Sequence, residues 1–69
     1  MDQATLSYLK THAVSIAMKA TEGDLLSRRI LNLYNQYRAW KASDQTEELL
    51  SRSIAQYRER VEKGMRNQS

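Results

Sequence analysis

The side chains that could carry acid–base chemistry in this chain are few and lie far apart. His12 is the only histidine among 69 residues, and Asp2 is the only acid on the same predicted helical segment. Asp44, Glu47 and Glu48 form the densest acidic cluster, but acids at the start of a helix suit the positive end of its dipole. Because catalysis needs clustered groups tuned by their surroundings, we predict that the protein is not an enzyme. His12 is expected at the surface or at its boundary.

Metal and cofactor chemistry lacks its usual ligands in this sequence. The chain has no cysteine, which excludes a disulfide framework and thiolate metal sites, and a single histidine cannot build a conventional zinc site. The two glycines do not form a phosphate-binding loop. We therefore predict no metal, no cofactor and no small-molecule substrate.

Four basic side chains of the middle segment are the candidates for nucleic-acid binding: Arg28, Arg29, Arg38 and Lys41. The chain carries 11 basic and 8 acidic residues, and its formal charge of +3 suits a nucleic acid or an acidic protein partner. A phosphate-binding helix gathers its basic residues on one face, whereas these four spread around the helical wheel. DNA or RNA binding by the second and third helices is therefore the alternative function.

The aromatic residues allow two interpretations. Tyr34, Tyr37, Trp40 and Tyr57 could form a stacking platform for bases, but Tyr37, Trp40 and Tyr57 fall in the apolar seams of their helices. Core packing is the better interpretation for those three, and Tyr34 is the one most expected at the surface. Trp40 lies near the end of a predicted helix, where tryptophan also serves as an anchor in protein interfaces.

These side chains must be positioned by helices, because the chain has no proline and only two glycines. Apolar spacing predicts three helices, at about residues 3–20, 23–42 and 45–65, in an all-α three-helix bundle. One domain is expected over residues 1–66, with a frayed tail at 67–69. Gly64 is expected to end the third helix, and the expected N-terminal caps are Asp2 or Thr5, then Thr21, then Asp44.

The middle helix is predicted to be the centre of the bundle, because it is the most apolar element. Its residues repeat with the spacing of helices packed at a shallow angle, and its seam consists of Leu26, Ile30, Leu33, Tyr37 and Trp40. The corresponding face of the first helix consists of Leu6, Leu9, Ala13, Ile16, Ala17 and Ala20. The third helix has a narrow seam and polar sides, which favour a place at the solvated edge. That seam consists of Leu50, Ile54, Tyr57 and Val61.

Two regularities connect the helices with their surroundings. The run Leu25-Leu26-Ser27-Arg28 recurs as Leu49-Leu50-Ser51-Arg52. We interpret the repeat as two helices that pack in a similar way. Acid-first pairs four residues apart predict ion pairs along the third helix, namely Glu48–Arg52, Glu59–Lys63 and Glu62–Arg66.

The first helix carries a second apolar patch, formed by Val14 and Met18, away from its core-facing residues. Lys10 is the only charged residue between Gln3 and Met18, whereas a solvated helix face normally carries more charge. One interpretation is an exposed face rich in serine and threonine with a few stray apolar residues. The other is that a second chain covers this side of the helix.

Self-association is the interpretation we favour, because a chain of this length buries only about 60% of its unfolded surface. We predict a homodimer that also binds another protein, as a small accessory regulator or inhibitor of the kind found in bacteria and phages. No apolar run approaches the roughly 20 residues of a membrane span, and Met1-Asp2-Gln3 does not resemble a signal peptide. A cytoplasmic protein with no membrane partner is expected. The candidate interface residues are Tyr8, Val14, Met18, Leu31, Tyr34 and Trp40.

Overall fold

A computed structural model describes the backbone of residues 2–39 and 44–67, and the side chains of these residues as far as Gly64. The described segments contain helices and no strand, which confirms the all-α prediction. The helices are α1 (Gln3–Thr11), α2 (Ala13–Thr21), α3 (Leu25–Ala39) and α4 (Asp44–Asn67). None of the described helices is long and apolar enough to cross a membrane.

The first predicted helix occurs as two helices, so the expected count of three is corrected to four within the described residues. α1 and α2 meet at His12, whose backbone has φ −103° and ψ 11°. The His12 ring nitrogen Nδ1 donates a hydrogen bond to the Tyr8 carbonyl oxygen at 3.0 Å. Beyond this break the two helices pack on different neighbours, α1 on α4 and α2 on α3. Tertiary packing thus overrides the continuous helical pattern of the sequence.

A sharp turn joins α2 to α3, as the sequence predicts. Gly23 has φ +98°, and the Asp24 N–H bonds back to the Lys19 carbonyl at 3.0 Å while the Gly23 N–H bonds to that of Ala20 at 3.1 Å. This is the Schellman arrangement, which favours glycine at the left-handed position. Thr21, expected as the cap of the next helix, instead closes α2 by donating to the Met18 carbonyl at 2.6 Å.

The caps of the helices differ from expectation at two other places. Asp2 caps α1 as predicted, accepting the Thr5 N–H at 3.2 Å. The cap of α3 is Asp24, which accepts the Ser27 N–H at 3.1 Å. Gly64 does not end α4, because the helix continues through it to Asn67. The predicted end of the middle helix, with Trp40 and Lys41, lies outside the described residues, as do residues 68–69 of the expected tail.

The core is built from large apolar residues that the helical spacing predicts. The buried cluster consists of Leu9, Ile16, Ile30, Leu50, Ile54 and Tyr57. The partly buried residues that pack against it include Leu26, Leu33, Tyr37 and Val61. Ala13 and Ala17, expected on the same face as Ile16, are exposed.

α4 contributes more of the buried surface than its narrow seam predicts. It buries Leu50, Ser53, Ile54 and Tyr57, whereas the described part of α3 fully buries Ser27 and Ile30. α4 contacts both α1 and α3, and α3 contacts both α2 and α4. The prediction that α4 is only the solvated edge is therefore corrected, whereas α3 keeps the place between two helices that is expected of a central helix.

The repeated LLSR runs of α3 and α4 share some features of their environments but not all. Leu25 and Leu49 are exposed at 77% and 45% of their surface, and Ile30 and Ile54, five residues further on, are both buried. Other equivalent positions differ in depth, since Ser27 is buried and Ser51 partly buried, while Leu26 is partly buried and Leu50 buried.

Candidate interaction surface

The outward side of α2 carries an exposed apolar face made by Val14 and Met18. Val14 is 74% exposed and Met18 is 60% exposed, although both are large apolar side chains. They lie one turn apart, and Ile16 and Ala20, which are buried in the core, lie on the opposite side of the same helix. This apolar face is therefore turned away from the fold that α2 helps to build.

A shallow groove runs along this face, lined by Thr11, Val14, Ser15, Met18, Lys19 and Glu22. Its centre is uncharged, and its two charges lie towards the end of α2. The Lys19 ammonium stands 5.5 Å from the centre of the Tyr57 ring, and the Ser15 hydroxyl is 3.1 Å from the Tyr57 hydroxyl. Both contacts fix the edge of the groove to α4, so the apolar face is presented by a supported helix.

The other predicted interface residues have different surroundings. Tyr8, Leu31 and Tyr34 are each partly buried and pack against the core. Tyr34, expected to be the exposed tyrosine, is therefore half-buried, with the Arg38 guanidinium 5.7 Å from its ring centre. Trp40 lies outside the described residues. The structure thus brings Val14 and Met18 together as freely exposed apolar residues, while Tyr8, Leu31 and Tyr34 contribute only partly accessible surface.

Two exposed leucines were not among the predicted interface residues. Leu25 begins α3 and Leu49 lies near the start of α4, and each precedes a more buried leucine. The repeated double-leucine runs could have indicated these exposed residues, because adjacent side chains of a helix point in different directions and only one of the two can point fully into the core.

The basic candidates for nucleic-acid binding do not form a common stripe among the described residues. The Arg28 Nε–H donates to the Ala20 carbonyl at 3.0 Å, which ties this side chain to the end of α2. Arg29 is exposed, Arg38 lies over Tyr34, and Lys41 is outside the described residues. On α4, Arg52 pairs with Glu48 at 2.7 Å and Lys63 with Glu59 at 3.0 Å. Arg52 and Lys63 of α4 are thus paired with acids, as the interleaving of acidic and basic residues in the sequence predicts.

Glu62 has a partner that the sequence analysis did not name. It pairs with Arg58 at 3.2 Å, whereas the side chain of Arg66, its predicted partner, lies outside the described residues.

The Arg58 guanidinium also stands 5.6 Å from the centre of the Tyr8 ring, and Tyr8 stacks on His12 with ring centres 4.0 Å apart. Burial raises the pKa of the Tyr8 hydroxyl above its ordinary value, so this phenol stays neutral at physiological pH. His12 is half-buried at the boundary, as expected.

One bidentate ion pair connects the turn after α2 with α4. The Arg60 guanidinium donates to both carboxylate oxygens of Asp24, at 2.8 and 2.7 Å. Ser27 donates to the same carboxylate through its N–H and its hydroxyl. The hydrogen bonds from Arg60, followed by those from Ser27, hold the pKa of the Asp24 carboxyl well below its usual range. Sequence reasoning missed this pair, because its members are 36 residues apart.

The described residues contain no cluster of three or more histidine, aspartate or glutamate side chains placed to hold a metal ion. Each buried polar side-chain atom among them has a hydrogen-bond partner. Comparisons with protein families, with curated proteins and with solved structures found no significant match to this chain.

Proposed function

We propose that the protein is a non-catalytic interaction module that self-associates through the outward face of α2, as a homodimer in the cytoplasm. The observation that carries this proposal is the exposure of Val14 and Met18 side by side on the groove of α2. Covering apolar surface removes it from water, which is the main driving force of protein association. A second copy is the simplest partner, because a symmetric dimer covers the same face on both chains.

The proposed role is that of a small accessory regulator or inhibitor, of the bacterial or phage type, that acts by binding another protein. The absence of cysteine supports a cytoplasmic location, since small secreted domains usually depend on disulfides. The exposed residues Leu25 and Leu49 lie on α3 and α4 rather than α2, and they leave further apolar contacts for a protein partner.

Sedimentation equilibrium of single-residue variants tests which face associates. Val14→Asp and Met18→Asp place a charge on the apolar face and are expected to weaken association roughly tenfold or more, because burying an unpaired carboxylate is unfavourable. Ala17→Asp is the matched control, since Ala17 is exposed on the same helix but lies to one side of the groove. Ser15→Asp would be a poor control, because the Ser15 hydroxyl contacts that of Tyr57.

The result is interpretable only if the variants keep their helical structure, which circular dichroism measures on the same samples. Equal weakening by all three substitutions would contradict the assignment of the face. Unchanged association of Val14→Asp and Met18→Asp would contradict the interface itself.

Nucleic-acid binding is the alternative, and a mobility-shift assay with random duplex separates it from the first proposal. The exposed Arg29 and the net positive charge favour it, while the acids paired with basic residues on α4 weigh against it. Binding that falls steeply with salt and decreases in Arg28→Ala with Arg29→Ala would support this alternative. The absence of any shift at low salt would rule it out.

A further inference from the structure

We propose that α1 is an arm hinged at His12, which leaves α4 and joins α2 in one helix over residues 3–21. This proposal is independent of the interface on α2, because it rests on the contacts of α1 alone. The bend at His12 is the feature that the sequence does not explain, and its geometry suggests what maintains it.

No helix-breaking residue lies at the bend. The residues around it, from Lys10 to Ala13, include neither glycine nor proline, and the remaining residue types differ only modestly in helix propensity. Helical hydrogen bonds reach His12 from both sides, since its N–H bonds to the Tyr8 carbonyl at 3.0 Å and its carbonyl accepts the Ile16 N–H at 2.9 Å. A backbone rotation centred on His12 is therefore enough to align α1 with α2.

Among the described helices, α4 supplies the contacts that hold the arm down. Leu9 is the fully buried residue of α1, and it packs in the cluster that includes Ile54 and Tyr57 of α4. The Arg58 guanidinium adds a cation–π contact to Tyr8. Among the described helices, α1 approaches α4 and α2 within 8 Å between Cα atoms but does not approach α3 so closely.

Release of these contacts makes the straight form the locally preferred one. The sequence places Leu6 and Leu9 on the same helical face as Ile16 and Ala20, so a straight helix would continue that apolar face. The open arm thereby uncovers the apolar surface of α4 around Ile54 and Tyr57. The arm is a conformational device: one hinge residue separates a closed form from an open one.

Nuclear magnetic resonance of the Leu9→Ala variant tests the hinge directly. We expect the three-bond amide–Hα coupling of His12 to fall to a helical value and the contacts between Tyr8 and Arg58 to disappear. The contacts between Asp24 and Arg60 should persist, because α2, α3 and α4 stay packed. Leu25→Ala is the matched control, since it makes the same chemical change at a residue that is 77% exposed, and it should leave the His12 coupling unchanged.

Native-state hydrogen exchange of the unmodified protein gives a second test, which does not depend on how the variant folds. An arm that has left α4 loses the tertiary packing that supplies most of its helical stability, so amides of α1 should exchange at least tenfold faster than those of α3, with a smaller dependence on urea. Exchange of α1 together with α3 at one shared urea dependence would overturn the proposal. So would a folded Leu9→Ala variant whose His12 coupling is the same as in the unmodified protein.

Discussion

Asp24 connects the turn after α2 with both α3 and α4. Its carboxylate caps α3 through Ser27 and at the same time accepts two hydrogen bonds from Arg60 of α4. The capping role alone is worth about 1 kcal/mol in typical helices. The ion pair adds to it because the geometry is bidentate and the Asp24 side chain is only 26% exposed. Asp24 therefore connects the turn between α2 and α3 to α4.

Replacing Asp24 with asparagine should remove the ion pair while it keeps a capping residue of similar quality. We expect the free energy of unfolding at pH 7 to fall by roughly 0.5–1 kcal/mol, the range for partly exposed pairs. The pKa of Asp24 is lower in the folded than in the unfolded chain, so its contribution is present above a pH of about 4 and declines as the pH falls below it. Urea unfolding at pH 7 and at pH 3 measures both effects.

The matched control for this prediction is Glu48→Gln, which removes an exposed ion pair within α4. It should change the free energy of unfolding less than Asp24→Asn does. If the effect of Asp24→Asn is the same at pH 7 and pH 3, or if Glu48→Gln is equally destabilising, the bidentate pair does not have the assigned role.

At the scale of the helices, the sequence predicts which residues meet better than it predicts where helices end. The spacing of Leu9, Ile16, Ile30, Leu50 and Tyr57 identifies the core, because burial follows the helical period. The break at His12 could not be read in the same way, since it arises from packing between α1 and α4 and not from a local breaker.

The predicted interface residues also differ in how well the sequence predicts their exposure. Val14 and Met18 could be predicted as an outward pair, because both lie off the apolar face of their helix. The partial burial of Tyr8, Leu31 and Tyr34 depends on neighbouring helices. A helical wheel considers one helix at a time and therefore cannot supply that information.

Replacing each of the two glycines with alanine is expected to change the free energy of unfolding in opposite directions. Gly64 lies inside α4 with open space around the position of an added Cβ, so Gly64→Ala should raise the free energy of unfolding by about 0.5–1 kcal/mol. Gly23 has φ +98°, so Gly23→Ala should lower it by about 1 kcal/mol despite similar open space. Thermal or urea unfolding of both variants checks the pair. Effects of the same sign would contradict these assignments.

At the scale of the whole molecule, the chain is small and leaves apolar side chains in water. Its 69 residues have no disulfide to restrict the unfolded state, and a core of this size gives only marginal stability. Val14, Met18, Leu25 and Leu49 are all exposed. Association through α2 would cover the first two and would make stability depend on protein concentration.

The most direct measurement of the central claim is sedimentation equilibrium of the unmodified protein over a dilution series at micromolar concentrations. The proposal predicts a species of twice the 8.0 kDa mass of one chain, which dissociates on dilution. A folded species that stays at 8.0 kDa throughout the series would contradict self-association through the face of Val14 and Met18.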